Sequence, residues 1–522
     1  MSTFYQQLTA NGDSHHRAIV VPNRSIDLNY PQLISAIKSF QYQLAQLGLA
    51  HQSAVSISLP NSIEFAVGFL AVTSSSLIAA PLNPNYKQSE FAFYIEDVKS
   101  ELVIVPQGAV KSNYPAVLAA RQFNAAVAEV WWDSSSSKIL FDLKEPGKLK
   151  TTGAGQIPPP PSPKETAFVL HTSGTTGRPK AVPLTHANMA ATVSNIINTY
   201  KLVPSDTSYL VMPLFHVHGL LCGFLGPLGS GGSVIMPATF SAHAFWKEYV
   251  QYGANWYTAV PTIHQILLKS EKPVPVPYIR FIRSCSSPLA PTTFHDLEAN
   301  FHAPVLEAYA MTEACHQMAS NNLPPGKRKP GTVGQGQGVE VVILDGHANF
   351  VPKGKEGEIC IRGPNVTPGY INNPKANAES FTKNGYFRTG DQGKLDDDGF
   401  VVITGRIKEL IIRGGENISP VELDGVMLEH PAVAEAVSFG APDEMYGQQV
   451  NAAIVLKNGH ENTTEKDIQQ FLSTKLSNFK IPRRIFFTKV MPKTATGKIQ
   501  RRIIAAEFLD KNKNKNNIRA KL

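Results

Sequence analysis

From His171 to Lys180 the chain reads His-Thr-Ser-Gly-Thr-Thr-Gly-Arg-Pro-Lys, directly after the apolar run Ala167-Phe-Val-Leu170. Gly174 and Gly177 allow tight backbone turns, so that main-chain N–H groups can converge on an anion. Thr172, Ser173, Thr175 and Thr176 add hydroxyl donors, and Lys180 closes the stretch with a cation. Such a set suits a triphosphate. It is not a Walker loop, because no Gly-Lys-Ser/Thr stands at the required spacing. Taken alone, a polar Gly/Ser/Thr linker remains the other reading.

The elements around that loop predict an α/β fold. Ala54–Leu59 and Leu102–Val105 read as short apolar strands among amphipathic helical stretches. Phe65–Leu82 is the longest apolar stretch, but Thr73-Ser-Ser-Ser76 and Pro81 interrupt it. It predicts a buried helix running into a strand, not a membrane span. Lys148–Lys164, with Pro158 to Pro161 consecutive, predicts an extended surface connector. Gly357–Gly390 reads as β-rich, with Glu358–Arg362 as one strand. A boundary is expected at Gly405-Arg-Ile-Lys408, followed by a compact α+β unit that includes Val433–Phe439.

Bulk properties agree with a globular protein. The chain has 522 residues, of which 43% are hydrophobic and 17% charged; length alone suggests two to four domains. Its first residues lack the basic and apolar regions of a signal peptide. Cys222, Cys285, Cys315 and Cys360 stand far apart with no C-x-x-C spacing, which argues against a disulfide framework or zinc site and for a reducing compartment. Of the net charge of +8, Lys511, Lys513, Lys515, Arg519 and Lys521 supply +5 with no acid between them. The folded body is therefore nearly balanced, and charge does not favour a general nucleic-acid role.

Further along, Tyr309-Ala-Met-Thr-Glu313, Tyr386-Phe-Arg-Thr-Gly-Asp391, Gly405-Arg-Ile-Lys-Glu-Leu-Ile411 and Pro492-Lys-Thr-Ala-Thr-Gly-Lys498 follow the loop in order. Together these segments resemble the motif set of the adenylate-forming acyl-CoA synthetases, from about Leu28 to Phe508. Agreement of five motifs in order is what makes the resemblance specific. It implies an α/β fold with a large multi-sheet N-terminal adenylation domain (1–406), a small mobile α+β C-terminal domain (407–510) and a basic flexible tail (511–522).

It also implies two half-reactions: a carboxylate attacks the α-phosphate of ATP and releases pyrophosphate, then the thiol of coenzyme A displaces AMP. By resemblance Lys498 is the adenylation lysine, a cation placed where charge builds in the transition state. Glu313 is the Mg²⁺ ligand, since a hard cation bridging phosphates takes carboxylate oxygen, and Thr312 bonds the α-phosphate. Thr172, Ser173, Gly174, Thr175, Thr176 and Lys180 hold the phosphates. Glu307, Ala308 and Tyr309 line adenine, and Asp391 with Arg406 holds the ribose. Lys408 is the hinge, and Gly414 and Gly415 wall the pantetheine channel. Ala181 and Ala310 stand where the family often has glycine; both are small and remove no functional group.

The acid side departs from the fatty and aromatic acid ligases. His216, at the gate position, is followed by His218; Ser284-Cys-Ser-Ser-Pro288 replaces a common Gly-Ala-Ala; and His316 follows Glu313 closely. A fatty chain gains about 0.8 kcal/mol per buried CH₂ and calls for an apolar pocket. Serines and histidines instead suit a very small acid with a second carboxylate. With Trp256–His264, Phe281–Ser286 and Glu307–Ala314, the chain is similar to the oxalate–CoA ligases. That likeness makes Ser286, His316 and His216 the expected oxalate-binding residues.

The chain ends Arg519-Ala-Lys-Leu522. Ala520-Lys521-Leu522 resembles the Ser-Lys-Leu peroxisomal address, read by an import receptor, so the expected location is the peroxisomal matrix with a cytoplasmic pool. Weak RNA or membrane contact is the other use of the basic tail. A 4-coumarate-type or medium-chain acyl-CoA ligase is the nearest enzymatic rival and predicts an apolar pocket. A nucleic-acid or scaffold protein on an enzyme fold predicts lost catalytic groups, and a carrier-protein acylating module predicts an adjoining carrier site.

Overall fold

The computed structural model describes residues 3–149, 157–172, 179–493 and 500–509. Among these residues the strands gather into four sheets. One has seven strands. Its inner strands Ala126–Asp133, Leu102–Pro106, Ala54–Ile57, Ile78–Pro81 and Thr166–Thr172 run parallel, with antiparallel Lys138–Glu145 and Lys180–Thr185 at the edges. Parallel strands covered on both faces are read as unbroken apolar runs, and Leu102 to Val105 are all fully buried.

A nine-stranded sheet lies beside it. Its parallel core orders Arg17–Val21, Ser233–Ile235, Thr207–Leu210, Trp256–Ala259, Phe281–Ser284 and Val305–Met311. Core side chains of the two sheets merge into one cluster through the helices Tyr30–Ala45, Ile63–Ser74 and His186–Tyr200. A four-stranded antiparallel sheet follows, made of Glu340–Leu344, Gly357–Arg362, Phe387–Leu395 and Val401–Arg406.

After Arg406 comes the 3₁₀ turn Ile407–Glu409, then a five-stranded sheet that starts with Ile411–Arg413. The helices Pro420–Leu428 and Glu465–Ser473 cover it and close a core of their own around Leu423, Met427, Ile454 and Leu472. A large N-terminal domain and a smaller C-terminal one are thus both present. Arg501 ties the small unit to the turn: its Nε donates to Glu409 at 3.2 Å and its Nη1 to Asp424 at 2.9 Å.

The stretch Phe65–Leu82 is the helix Ile63–Ser74, buried at every position, running into the strand Ile78–Pro81. Among the described residues no helix is long and apolar enough to cross a membrane. All four cysteines are buried and unpaired. One expectation needs correcting: Gly357–Gly390 is not uniformly β-rich, since it holds the helix Pro374–Ser380. Pro374 at its first position and the Asn373 side chain accepting from Ala376 N start that helix, a cap too local to register against the flanking strand pattern.

Candidate active site

In open parallel sheets, ligands collect in the crevice at the carboxyl ends of the strands. Four strands of the nine-stranded sheet deliver polar residues there. His216 and His218 follow Thr207–Leu210, Thr258 ends Trp256–Ala259, Ser284 and Ser286 end and follow Phe281–Ser284, and Thr312 to His316 follow Val305–Met311. A fifth contribution comes from the neighbouring sheet, where Thr172 and Lys180 are cross-strand partners at the ends of an antiparallel pair. Their register closes the glycine-rich segment between two fixed ends. Ser173, Gly174, Thr175 and Thr176 lie outside the described residues.

On the phosphate side, Glu313 sits in a 3₁₀ turn, Thr312–Ala314, and is buried. The Tyr370 hydroxyl donates to its Oε1 at 2.8 Å, and the Thr367 N–H donates to its backbone carbonyl at 2.7 Å. Burial raises the Glu313 pKa, with the Tyr370 bond opposing. Lys180 Nζ lies 4.4 Å from the centre of the Tyr370 ring, so one tyrosine joins the predicted phosphate lysine to the predicted metal ligand. A Mg²⁺ ion fits this corner. No group of three or more His, Cys, Asp or Glu able to hold a metal occurs among the described residues. A single buried carboxylate that leaves the other positions to phosphate oxygens and water is the usual Mg²⁺ arrangement.

The predicted nucleoside residues also meet. Asp391 and Arg406 face each other across the strands Phe387–Leu395 and Val401–Arg406. Arg406 Nε donates to Asp391 Oδ1 at 2.9 Å, and the Tyr309 hydroxyl donates to Oδ2. Glu307 and Ala308 precede Tyr309 on one strand. Glu307 is buried and accepts from Gly331 N–H at 2.8 Å; burial pushes its carboxyl up to about 7. Asp391 is a strand residue after Gly390 at φ 74°, and its side chain is committed to Arg406 and Tyr309.

The acid side forms a third group. His218 opens a π-helical turn, His218–Leu225, and is fully buried. Only glycine fits after it, because a Cβ at Gly219 would lie 2.3 Å from the Pro213 carbonyl oxygen. His218 Nδ1 is 3.0 Å from Ser286 Oγ and Nε2 is 2.6 Å from Thr258 Oγ1. Its ring stacks on that of His316, with centroids 5.4 Å apart. Burial first, then the Arg283 guanidinium and neighbouring imidazoles including His216, hold both rings well below the usual histidine pKa. Both ring nitrogens of His316, and Ser284 Oγ, are buried with no hydrogen-bond partner among the described residues.

Backbone strain gathers here too. Ser286 (φ 73°), Cys315 (φ 48°) and His316 (φ 100°) are non-glycine residues in the left-handed region. Such residues cost of order 1–3 kcal/mol each and cluster at functional sites.

Lys408 is exposed on the turn Ile407–Glu409. Gly414 and Gly415, at φ 59° and 90°, form the two-residue turn between Ile411–Arg413 and Glu416–Ile418, a conformation that favours glycine at both places. Lys498 and the terminal tripeptide lie outside the described residues. His218 is visible in the sequence as a polar residue of the acid side, whereas Thr258, Arg283 and Tyr370 carry no individual role there. An arginine inside the apolar strand Phe281–Ser284 was a usable signal. Tyr370, 57 residues from its Glu313 partner, had none.

The model of the AMP-binding enzyme family matches residues 7–371, and that of the AMP-binding enzyme C-terminal domain matches 422–498. The chain belongs to the AMP-binding enzyme family. Among curated relatives, the oxalate–CoA ligase of Saccharomyces cerevisiae is 51% identical, with 97% of each chain covered. The oxalate–CoA ligase of Arabidopsis thaliana is 45% identical over 95% of this chain and 96% of its own. ATP-bound MatB from Rhodopseudomonas palustris superposes with a TM-score of 0.87 at 27% identity, covering 97% of this chain and 99% of that one. MenE from Bacillus subtilis in complex with ATP and magnesium gives 0.81 at 26% identity, over 96% and 99%.

Proposed function

We propose that this chain is an ATP-dependent acid–CoA ligase that adenylates oxalate. Pyrophosphate leaves in the first half-reaction, and the oxalyl group then passes to coenzyme A to give oxalyl-CoA and AMP. The observation that carries the choice of acid is the polar wall of buried Ser284, His218 and His316 with half-buried Ser286, in which atoms of His316 and Ser284 have no partner among the described residues. A medium-chain or coumaroyl group would leave those atoms unpaired, a penalty of about 1–3 kcal/mol for each. The carboxylate oxygens of a short dicarboxylate can accept from the N–H and O–H donors among them. The identity to the yeast and Arabidopsis oxalate–CoA ligases supports the same acid.

In this reading Lys180 and the glycine-rich segment hold the ATP phosphates, Glu313 holds Mg²⁺, and Thr312 bonds the α-phosphate. Asp391 and Arg406 hold the ribose beside Tyr309, while Glu307 and Ala308 line adenine. Lys498 supplies the charge that offsets the adenylation transition state. Ser286, His316 and His216 orient oxalate. The domain boundary is at 406/407, with Lys408 as the hinge that lets the small domain turn between half-reactions, and Gly414-Gly415 lines the path of the coenzyme A arm. Ala520-Lys521-Leu522 directs the chain to the peroxisomal matrix, and a fusion lacking Leu522 should remain cytoplasmic.

Acid-dependent ATP–pyrophosphate exchange with Mg²⁺ tests the assignment, using oxalate, malonate, acetate, hexanoate and coumarate. Exchange with oxalate and not with hexanoate or coumarate is expected. Exchange with hexanoate or coumarate instead would remove the role given to Ser286 and His316.

A further inference from the structure

Arg283 is completely buried, and every group that accepts from it is neutral. Its Nε donates to the Tyr200 hydroxyl at 2.6 Å, Nη2 to Gln317 Oε1 at 3.4 Å and Nη1 to Thr258 Oγ1 at 3.2 Å, with His218 Nε2 3.5 Å from the same Nη1. Among the described residues no carboxylate pairs with it. A buried cation left without a counter-charge is costly, and it favours an anion brought close in the same low-dielectric region.

The hydrogen bonds around it determine more than charge. A guanidinium only donates, so the lone pair of His218 belongs on Nε2, the nitrogen that faces Arg283 and Thr258. Thr258 Oγ1 accepts from Arg283 and turns its own hydrogen to His218 Nε2, 2.6 Å away. The ring proton of His218 is then on Nδ1, which donates to Ser286 Oγ at 3.0 Å. With that oxygen accepting, the hydroxyl hydrogen of Ser286 is left to point at the bound acid.

We propose that Arg283 and Thr258 are positioning residues for acid recognition. Acting through His218, they fix the Ser286 hydroxyl as a donor to the second carboxylate of a short dicarboxylate, beside a buried positive charge that favours a dianion over a monoanion. The inference rests on the reading of the acid as oxalate.

Thr258→Val keeps the side-chain shape and removes the connecting hydroxyl; Thr258→Ser restores it. The full-length chain is assayed by oxalate-dependent ATP–pyrophosphate exchange, varying oxalate and ATP in turn. Thr258→Val should raise the KM for oxalate about 10-fold or more, the scale of one oriented hydrogen bond to a charged group. The KM for ATP should change less than about twofold, and Thr258→Ser should return the oxalate KM towards that of the parent. Arg283→Met, followed by the same assay and by thermal melting, should lower the preference for oxalate over acetate.

An unchanged oxalate KM in Thr258→Val, or equal rises for oxalate and ATP, would overturn the relay while leaving the oxalate assignment standing. A parent protein with no oxalate-dependent exchange would overturn that assignment, and the relay with it.

Discussion

Replacing Glu307 by glutamine should change how stability depends on pH. Burial raises its carboxyl from the ordinary 4.5 to about 7, against a smaller opposing effect of the Gly331 N–H. The folded state therefore binds a proton that the unfolded chain has already released, so the contribution to stability is full below pH 4.5 and is lost as pH rises through about 7. Between pH 5 and 9 the loss integrates to roughly 2.5 kcal/mol. With an unfolding entropy of about 2.1 cal/mol/K per residue over a unit of about 400 residues, that corresponds to roughly 3 °C. Glu307→Gln carries no such charge. Melting temperatures of both proteins, taken without nucleotide at pH 5, 7 and 9, should diverge, with the glutamine variant gaining on the parent by about 3 °C towards pH 9. Effects common to both proteins cancel in the difference. Parallel curves would mean that Glu307 is ionised in the folded protein at neutral pH, and that its burial is relieved by a group other than Gly331.

Asp391→Asn should weaken ATP binding by about 10- to 100-fold, the scale of one or two charge-assisted hydrogen bonds, with the oxalate KM little changed; initial-rate kinetics would separate the two. Glu313→Gln should raise the Mg²⁺ concentration needed for half-maximal exchange at fixed ATP, and a magnesium titration that superposes on that of the parent would remove Glu313 as the metal residue. Arg501→Met removes the cation that pairs with half-buried Asp424, which keeps only its hydrogen bonds from Ser438, so the small domain should lose about 1–3 kcal/mol, seen as earlier protease cleavage within residues 411–493 while the large domain stays intact.

Much of the fold was legible because its strands are covered on both faces. Continuous runs such as Leu102–Val105 admit few alternatives at that length, and the helix-to-strand break in Phe65–Leu82 was marked by its serines and proline. Chemistry was legible where motifs are contiguous: Tyr309 to Glu313 occupy one strand end. The acid wall was only half visible. His216, Ser286 and His316 could be singled out by type, whereas the bonds joining His218 to Thr258 and Ser286 span 40 and 68 residues of sequence. They depend on the order of parallel strands, which a single sequence does not display. The helix Pro374–Ser380 was missed because an Asn cap and one proline are weaker signals than the strands on either side.

In the proposed reading the acid wall draws its side chains from the ends of four neighbouring parallel strands, whereas Lys180, Asp391 and Arg406, assigned to the nucleotide, lie on other sheets and only the end of Val305–Met311 serves both. Away from that shared strand end, such a division makes the two parts of the crevice separately evolvable. A substitution after Phe281–Ser284 or Thr207–Leu210 can retune which acid is accepted while the nucleotide half keeps its geometry. The corollary concerns order of assembly. Crossover connections must bring distant strands into register before Thr258, Arg283 and Ser286 can meet, and contacts of long sequence separation form slowly. Selectivity for the acid is therefore expected to be among the last properties acquired as the chain folds.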